Sequence, residues 1–589
     1  MATNTPQQSP EAPLSFPKRV WRLTYPYWQS EEKIRAWGLL LLILVLNLGG
    51  VYILYRLNQW NQAFYDSLEQ KNAKAFWEQI WVFCIIAACW VVVAVYKAYV
   101  AQVLQMRWRN WLNRNFLERW LKNKTYYRME LARNETDNPD QRIAEDLNKY
   151  TRGTIALAVG LLNATVTLVT FVGVLWGLSG ALKFNFLGST ITIPGYMVWG
   201  CILYALAGSV ITHLIGRKLI KLNFYQQRYE ADFRFDLVRL RESSEEVALY
   251  QGEPSESKHL LGRFDVLLEN FWKLIKANKR LGWFTFSFGQ AAVIFPFFLA
   301  GSRYFSGEIS LGVLMQIGSA FGRVQDALSW FVDNYSDVNN DSSLVSWRAT
   351  ADRLLQFQAA MDRAELQGSG VQIEAQASDD QALHVSDLSL ELPNGQELLN
   401  AARLTIQPGE KVLLSGASGS GKSTLFRAIA GIWPFGRGRV SRPDAKRTLF
   451  LPQKPYLPIG ALRDTVSYPS KPGEFSDAQI VDALRACKLE GLVTRLDEQQ
   501  HWGQLLSPGE QQRLAFARAL LHKPDWLFMD EATSALDEAT EKEMYRLLNE
   551  QLPNSTFVSI AHRPNVAAFH TRRIEIAPGA NGTMTLQSN

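Results

Sequence analysis

The sequence predicts an α-helical membrane domain of six spans, followed by a water-soluble α/β domain built around a phosphate-binding loop. Three observations predict it. Apolar runs of about 20 residues, the length that crosses a bilayer, crowd the part of the chain up to residue 332. Lys and Arg are dense in every second connection between those runs and sparse in the others. After Lys411, a short buried-type strand runs into a glycine-rich loop that ends Gly421-Lys422-Ser423.

The six runs fall near 36–56, 80–104, 154–178, 191–215, 282–301 and 311–332. Gln290 and Pro296 interrupt the fifth, and charge weakens the sixth. The connection after the second run carries basic residues from Arg107 to Arg152, and the one after the fourth from Arg217 to Arg280. The other connections hold little beyond Arg56, Lys71, Lys74, Lys183 and Arg303. Basic loops stay on the cytosolic side, so both termini are placed there too. The two basic connections are long and helix-forming. Their expected tips are Asn138-Pro139-Asp140-Gln141 and Glu245 to Gly252. In the sixth run, Gln316, Ser319, Arg323, Asp326 and Asp333 recur at helical spacing. Ionisable groups at membrane depth face protein or water, so this stripe is expected to line a hydrated cavity or to pair with a neighbouring span.

A mean hydropathy of −0.11 alongside 47% hydrophobic residues fits a greasy part joined to a soluble one. The 589 residues are too many for one ordinary domain. A net charge of +6 without a recognisable nucleic-acid motif argues against a nucleic-acid partner. Cys84, Cys89, Cys201 and Cys487 form no C-x-x-C pair, which argues against a disulfide framework or a zinc site. The expected divisions are a disordered tail at 1–15, a membrane domain at 16–356, a polar linker at 357–382 and a nucleotide-binding domain at 383–589. No cleavable leader is expected at the start. From the final Gln-Ser-Asn no peroxisomal address is expected.

The strand Lys411 to Ser415 leads into Gly416-Ala417-Ser418-Gly419-Ser420-Gly421-Lys422-Ser423, and Thr424 opens a helix-like run. Backbone N–H groups of such a loop close on phosphate oxygens, and the helix N-terminus adds its dipole. Lys422 is expected on the β- and γ-phosphates of ATP, and Ser423 on Mg²⁺. A second apolar strand, Trp526 to Met529, ends in Asp530 and Glu531. Asp530 would complete the Mg²⁺ shell and Glu531 would polarise the attacking water. In Leu506-Ser507-Pro508-Gly509-Glu510, Ser507 can cap a helix with Pro508 first and Glu510 closing the box. That helix tip offers N–H groups to an anion. It makes sense facing the γ-phosphate held by a second copy.

In this order the phosphate loop, Gln453, Leu506 to Glu510, Met529-Asp530-Glu531, Ser534-Ala535-Leu536-Asp537 and His562 resemble an ABC-transporter nucleotide-binding domain. The resemblance implies that Gln453 senses the γ-phosphate and joins the Mg²⁺ shell. It also implies that Glu531 is the catalytic base, that His562 contacts the γ-phosphate and that Asp537 lies at a dimer contact. Ser507 and Gly509 would bind ATP from the partner copy. Asp137 to Ile143 and Glu245 to Tyr250 resemble loops of the peroxisomal fatty acyl-CoA transporter family, and Asn58 to Asp66 fits its bacterial branch. They also resemble its bacterial relatives, the SbmA/BacA-like peptide-uptake proteins and a fused cobalamin importer. An exporter-type ABC fold is implied, which serves import and export alike. Pro508 departs from the usual glycine of that signature, and Glu510 from the usual glutamine. No adenine-stacking aromatic stands out near Leu388 to Pro393.

The expected protein is a homodimeric half-transporter in a bacterial inner membrane. It would use ATP and Mg²⁺ to move a hydrophilic solute such as a peptide or a cobalamin-like compound. A lipid or fatty acyl-CoA translocase, or an ATP-gated channel, is the alternative.

Overall fold

The computed structural model describes residues 15–131, 138–186, 189–336, 343–369, 372–378, 380–443, 447–578 and 584–588. The expected tail at 1–15 therefore lies, but for Ser15, outside the described residues. The chain divides into two units. One holds Met1–Glu118 and Asp137–Gln358, the other Arg119–Thr136 and Ala359–Asn589.

Among the described residues, five helices are long and apolar enough to cross a membrane: Lys33–Glu69, Ala73–Leu131, Pro139–Ser179, Tyr196–Glu242 and Glu253–Phe305. They show large apolar side chains outward, among them Trp81, Val92, Trp283 and Phe298. A bilayer covers such a surface where water could not. The sixth expected span forms the helix Leu311–Ser336, which is not apolar enough to count by itself. Its apolar side, Ile317, Ala320, Phe321 and Val324, packs on Phe171, Leu175, Met197, Cys201 and Ala300 of its neighbours. A helix enclosed by others needs an apolar stripe only where it touches them.

The fourth span begins later than expected. Residues 191–194 belong to an antiparallel hairpin of Ala181–Phe186 and Ser189–Pro194, and the helix starts at Tyr196. Lys183-Phe184-Asn185-Phe186 and Thr190-Ile191-Thr192-Ile193 alternate polar with apolar residues, which is a strand period. Gly180 and Gly195 close the hairpin at φ +63° and +65°, where the Gly195 N–H donates to the Gly180 carbonyl at 3.1 Å.

The first expected tip is displaced as well. Asn138, at φ +51°, leads with Pro139 into the helical run of the membrane unit. The residues that fall in the ATPase unit lie just upstream, in Arg119–Thr136. There a 3₁₀ turn at Lys122–Lys124 and a helix at Thr125–Leu131 fold with that unit, and Leu131 packs on its core. The second expected tip contains the helix Ser244–Leu249, and Leu249 and Tyr250 are exposed.

In the second unit, a ten-stranded sheet separates two apolar cores. The expected linker at 357–382 is mostly regular structure. The helix Leu344–Ser369 runs through its first part, and strand Gln372–Ala377 pairs in parallel with Gly436–Arg442. The polar residues there are good helix formers followed by a run that a sheet edge can recruit, a choice that composition does not reveal. Four neighbouring strands lie parallel in the order Lys411–Gly416, Thr556–Ile560, Trp526–Asp530, Thr448–Leu451. Their carboxyl ends therefore meet on one edge.

Gly312 tests the membrane packing. Its N–H donates to Asp66 Oδ1 at 3.0 Å, and a Cβ there would collide with the Gln62 carbonyl. Small residues permit such close helix approach. Gly312→Ala is expected to cost about 1–3 kcal/mol by overpacking. A lower midpoint of thermal aggregation in detergent would show it; an unchanged midpoint would refute this contact.

Candidate functional site

Each of the four parallel strands delivers one part of the site. Lys411–Gly416 opens into the phosphate loop, Trp526–Asp530 presents Asp530 and then Glu531, Thr556–Ile560 leads to His562, and Thr448–Leu451 leads to Gln453. Ligand sites in parallel α/β sheets form on this carboxyl edge because the strands end there and the helix N-termini point to it.

The loop Gly416 to Ser423 wraps the start of the helix Lys422–Ile429. Gly416 has φ +152°, and a Cβ on it would meet the Ile576 carbonyl at 2.7 Å. Gly419 and Gly421 also lie at positive φ, so the loop can turn its backbone inward. Ser420 is buried and its hydroxyl has no partner among the described residues. An orphaned hydroxyl in this position fits a phosphate oxygen. The Lys422 ammonium donates to the carbonyls of Gly416 and Ala417 at 2.9 and 2.8 Å. Burial pulls its pKa down, against the opposing charges of Glu531 and Asp530. Ala417 and Ser418 lie in the turn, and Thr424 is buried in the helix.

The Ser423 hydroxyl donates to Asp530 Oδ1 at 3.0 Å. These are hard oxygen donors of the kind Mg²⁺ takes alongside phosphate oxygens and water, so the pair fits that ion. Gln453, expected in the same shell, instead gives its amide N–H to Glu531 Oε2 at 3.0 Å. His562 Nε2 lies 2.9 Å from Glu531 Oε1. The carboxylate of the expected base is thus held from both sides. Glu531 itself sits at φ +47°, in the left-handed region, with its N–H tied to the Ile560 carbonyl at 3.0 Å. A non-glycine residue there stores strain, and such strain gathers at functional sites.

The helix Pro508–His522 starts as the sequence indicates. The Glu510 N–H donates to Ser507 Oγ, and the Ser507 N–H donates to Glu510 Oε2 at 2.9 Å. Hydrogen bonds from Ser507 hold the Glu510 carboxyl below its usual range. Gly509 packs close to the Ala535 carbonyl, and among the described residues its N–H finds no protein acceptor. Asp537, expected at a dimer contact, caps the helix Glu538–Gln551 by accepting from the Thr540 N–H at 2.9 Å.

Sequence reasoning missed Gln512 and Lys124. Gln512 is buried; its amide N–H groups donate to the Gln453 carbonyl and Ser534 Oγ, both at 3.1 Å, and its carbonyl accepts from the Ala535 N–H at 2.9 Å. It joins three motifs, and its place one turn after Ser507 was the available signal. Lys124 donates to the Ala430 carbonyl at 3.4 Å, at the far end of the phosphate-loop helix. No local pattern pointed to that contact.

In the membrane unit, the expected stripe divides. Gln316 is buried, and its backbone carbonyl accepts from Asn58 Nδ2 at 3.0 Å. Ser319 and Arg323 are part-exposed and Asp326 is exposed. Gln316 therefore belongs to the contact with the first span, and Ser319, Arg323 and Asp326 to a more open face, while the side chain of Asp333 lies outside what the structure describes. Lys97 donates to Asn47 Oδ1 at 3.3 Å.

Residues 23–305 match the family model described as ABC transporter transmembrane region 2, and residues 399–534 match ABC transporter. The chain is 35% identical to an uncharacterized ABC transporter ATP-binding protein of Haemophilus influenzae, covering 95% of this chain and 92% of that one. It is 32% identical to the inner membrane ABC transporter ATP-binding protein YddA of Escherichia coli, over 92% and 94% of the two chains. It is 26% identical to the human lysosomal cobalamin transporter ABCD4, over 97% and 96%. A solved bacterial Atm1-family ABC exporter with ATP bound shares the fold, with TM-score 0.67 and 16% identity over 94% of each chain.

Burial raises the Asp530 carboxyl above the usual aspartate range, with the Ser423 hydroxyl opposing. A raised acid makes the fold lose stability as pH climbs from the ordinary aspartate value through the raised one. The same shift means that acidification protonates Asp530 early. ATP binding with Mg²⁺, titrated against pH, should weaken before an ordinary aspartate would protonate. Asp530→Asn should bind weakly with this acidic limb removed; an unchanged pH profile would refute the assignment.

Proposed function

Because the chain belongs to the ABC transporter family, with its membrane and ATPase regions fused as in half-transporters, we propose that two copies assemble into a pump for a hydrophilic solute in a bacterial inner membrane. ATP binding and hydrolysis drive transport across the membrane. The carrying observation for the pair is the tip of the helix Pro508–His522. Ser507 is engaged in its own cap, and the Gly509 N–H has no acceptor among the described residues. An anion-seeking helix tip of this kind is explained by ATP held on a second copy.

In this reading the N–H groups of the phosphate loop and Lys422 hold the phosphates of ATP. Ser423 and Asp530 would hold Mg²⁺, which when bound neutralises phosphate charge. Glu531 orients the attacking water and accepts its proton. Gln453 and His562 set the direction of the Glu531 carboxylate, and in this mechanism both would exchange that contact for the γ-phosphate. The left-handed backbone at Glu531 fixes the carboxylate at the strand end instead of letting it follow the chain.

The open face with Ser319, Arg323 and Asp326 supports a polar cargo, since a lipid path needs no such groups. The relative named as a cobalamin transporter supports a solute of that kind, and YddA, named as an inner membrane protein, supports the location.

Glu531→Gln is expected to lower turnover about 100-fold or more while ATP stays bound. Hydrolysis at the wild-type rate would remove Glu531 as the base. In proteoliposomes with ATP outside only, labelled peptide or cobalamin should move with wild type and not with Glu531→Gln. Movement of acyl-CoA alone would replace the hydrophilic cargo with a lipid one.

A further inference from the structure

The helix Leu344–Ser369 belongs to both units: Gln358 closes its part in the first and Ala359 opens its part in the second. It is fastened along its length. In the membrane unit, the Trp347 indole N–H donates to Thr154 Oγ1 at 2.8 Å, and its ring stacks on Tyr150. Phe357 stacks on Phe116. In the ATPase unit, Arg119 bonds to Asp362 and also reaches Glu365 at 3.4 Å.

The strongest fastening is at Arg353. Its guanidinium donates twice to Asp146, from Nε to Oδ2 at 2.9 Å and from Nη2 to Oδ1 at 2.8 Å. Arg142 Nη1 adds a third bond to Oδ2 at 2.9 Å. Asp146 is 1% exposed. A buried carboxylate survives only when paired, and a two-pronged guanidinium pair fixes direction as well as distance. The acid sits in a π-helical turn, Arg142–Asp146, directly before the helix Leu147–Ser179. Such turns interrupt the regular ladder and gather at functional places. That second helix is the third span, and its Phe171 and Leu175 pack on the helix bearing Ser319 and Arg323.

We propose that Asp146 is the latch that carries motion from the ATPase unit to the spans. It binds the helix that enters that unit, through Arg353, to the helix of the third span. Asp146 touches neither nucleotide nor cargo, so it is a positioning residue. A covalent rod alone could swing free of the third span. The fork of Arg353 on Asp146 makes the two helices move together. The latch deepens the reading of an ATP-driven pump and rests on it.

The test uses the full chain in nanodiscs, with its four cysteines replaced by serine, Ser319→Cys spin-labelled and Glu531→Gln added to hold ATP. With the latch intact, ATP should change the distance between the labels of the two copies. Asp146→Asn, and Arg353→Lys, which keeps the charge but loses the fork, should bind a fluorescent ATP analogue within about threefold of the parent and lose about half or more of the distance change. Arg353→Lys keeps the test open if Asp146→Asn fails to fold. A full distance change in Arg353→Lys or in a folded Asp146→Asn would overturn the latch and leave the pump reading standing. No change even with the latch intact would overturn that reading and the latch with it.

Discussion

The parallel pairing of four strands sets every distance in the ATPase site. Trp526 pairs with both Thr448 and Thr556, and Ile560 pairs with Asp530 and Leu414. Because side chains alternate along a strand, a slip of one residue would turn Asp530 to the other face of the sheet. It would also carry Glu531 away from Gln453 and His562. The apolar strands are buried on both sides, so the register is fixed by packing on two cores at once. The side chains at the strand ends inherit that rigidity. The carboxylate of Glu531 needs only two further hydrogen bonds to be held in one direction.

The membrane unit is held differently. Its outward surface is apolar and faces lipid, so burial from water gives little drive between helices. Close approach and polar contacts take over. Gly312 lets the first and sixth spans touch, with Asp66 bonded to its N–H. Asn58 bonds to the Gln316 carbonyl, and Lys97 to Asn47. A polar residue in a span can therefore serve packing or lie on an exposed face, and Gln316 and Asp326 show one of each.

Segments that look like connections bear much of the organisation. Arg119–Thr136 folds with the ATPase unit although it lies between two spans in the chain. Leu344–Ser369 occupies half of what composition reads as a linker. Both are rich in basic or polar residues, and their fastenings include side chains of opposite charge and aromatic rings. Arg353 on Asp146 and Trp347 on Tyr150 are examples.

The sequence by itself determined the two-part architecture, five of the six expected spans, and the phosphate loop, the Asp530-Glu531 strand end and the Ser507 cap as local structures. Each is a local pattern whose chemistry follows from residue type and spacing. Apolar length, a period of 3.6 or 2, or a glycine at a turn suffices. Only the tertiary structure decided that Gln453 and His562 grip Glu531, that Gln512 ties three motifs and that Gln316 turns inward. It alone placed Asp146 between two arginines, one of them 207 residues away. The hairpin at 181–194 shows the boundary between the two: its alternation was present in the sequence, but an apolar run beside it reads as span until the pairing is seen. Contacts between distant residues depend on which faces the packed helices and strands present, and no spacing along the chain encodes that.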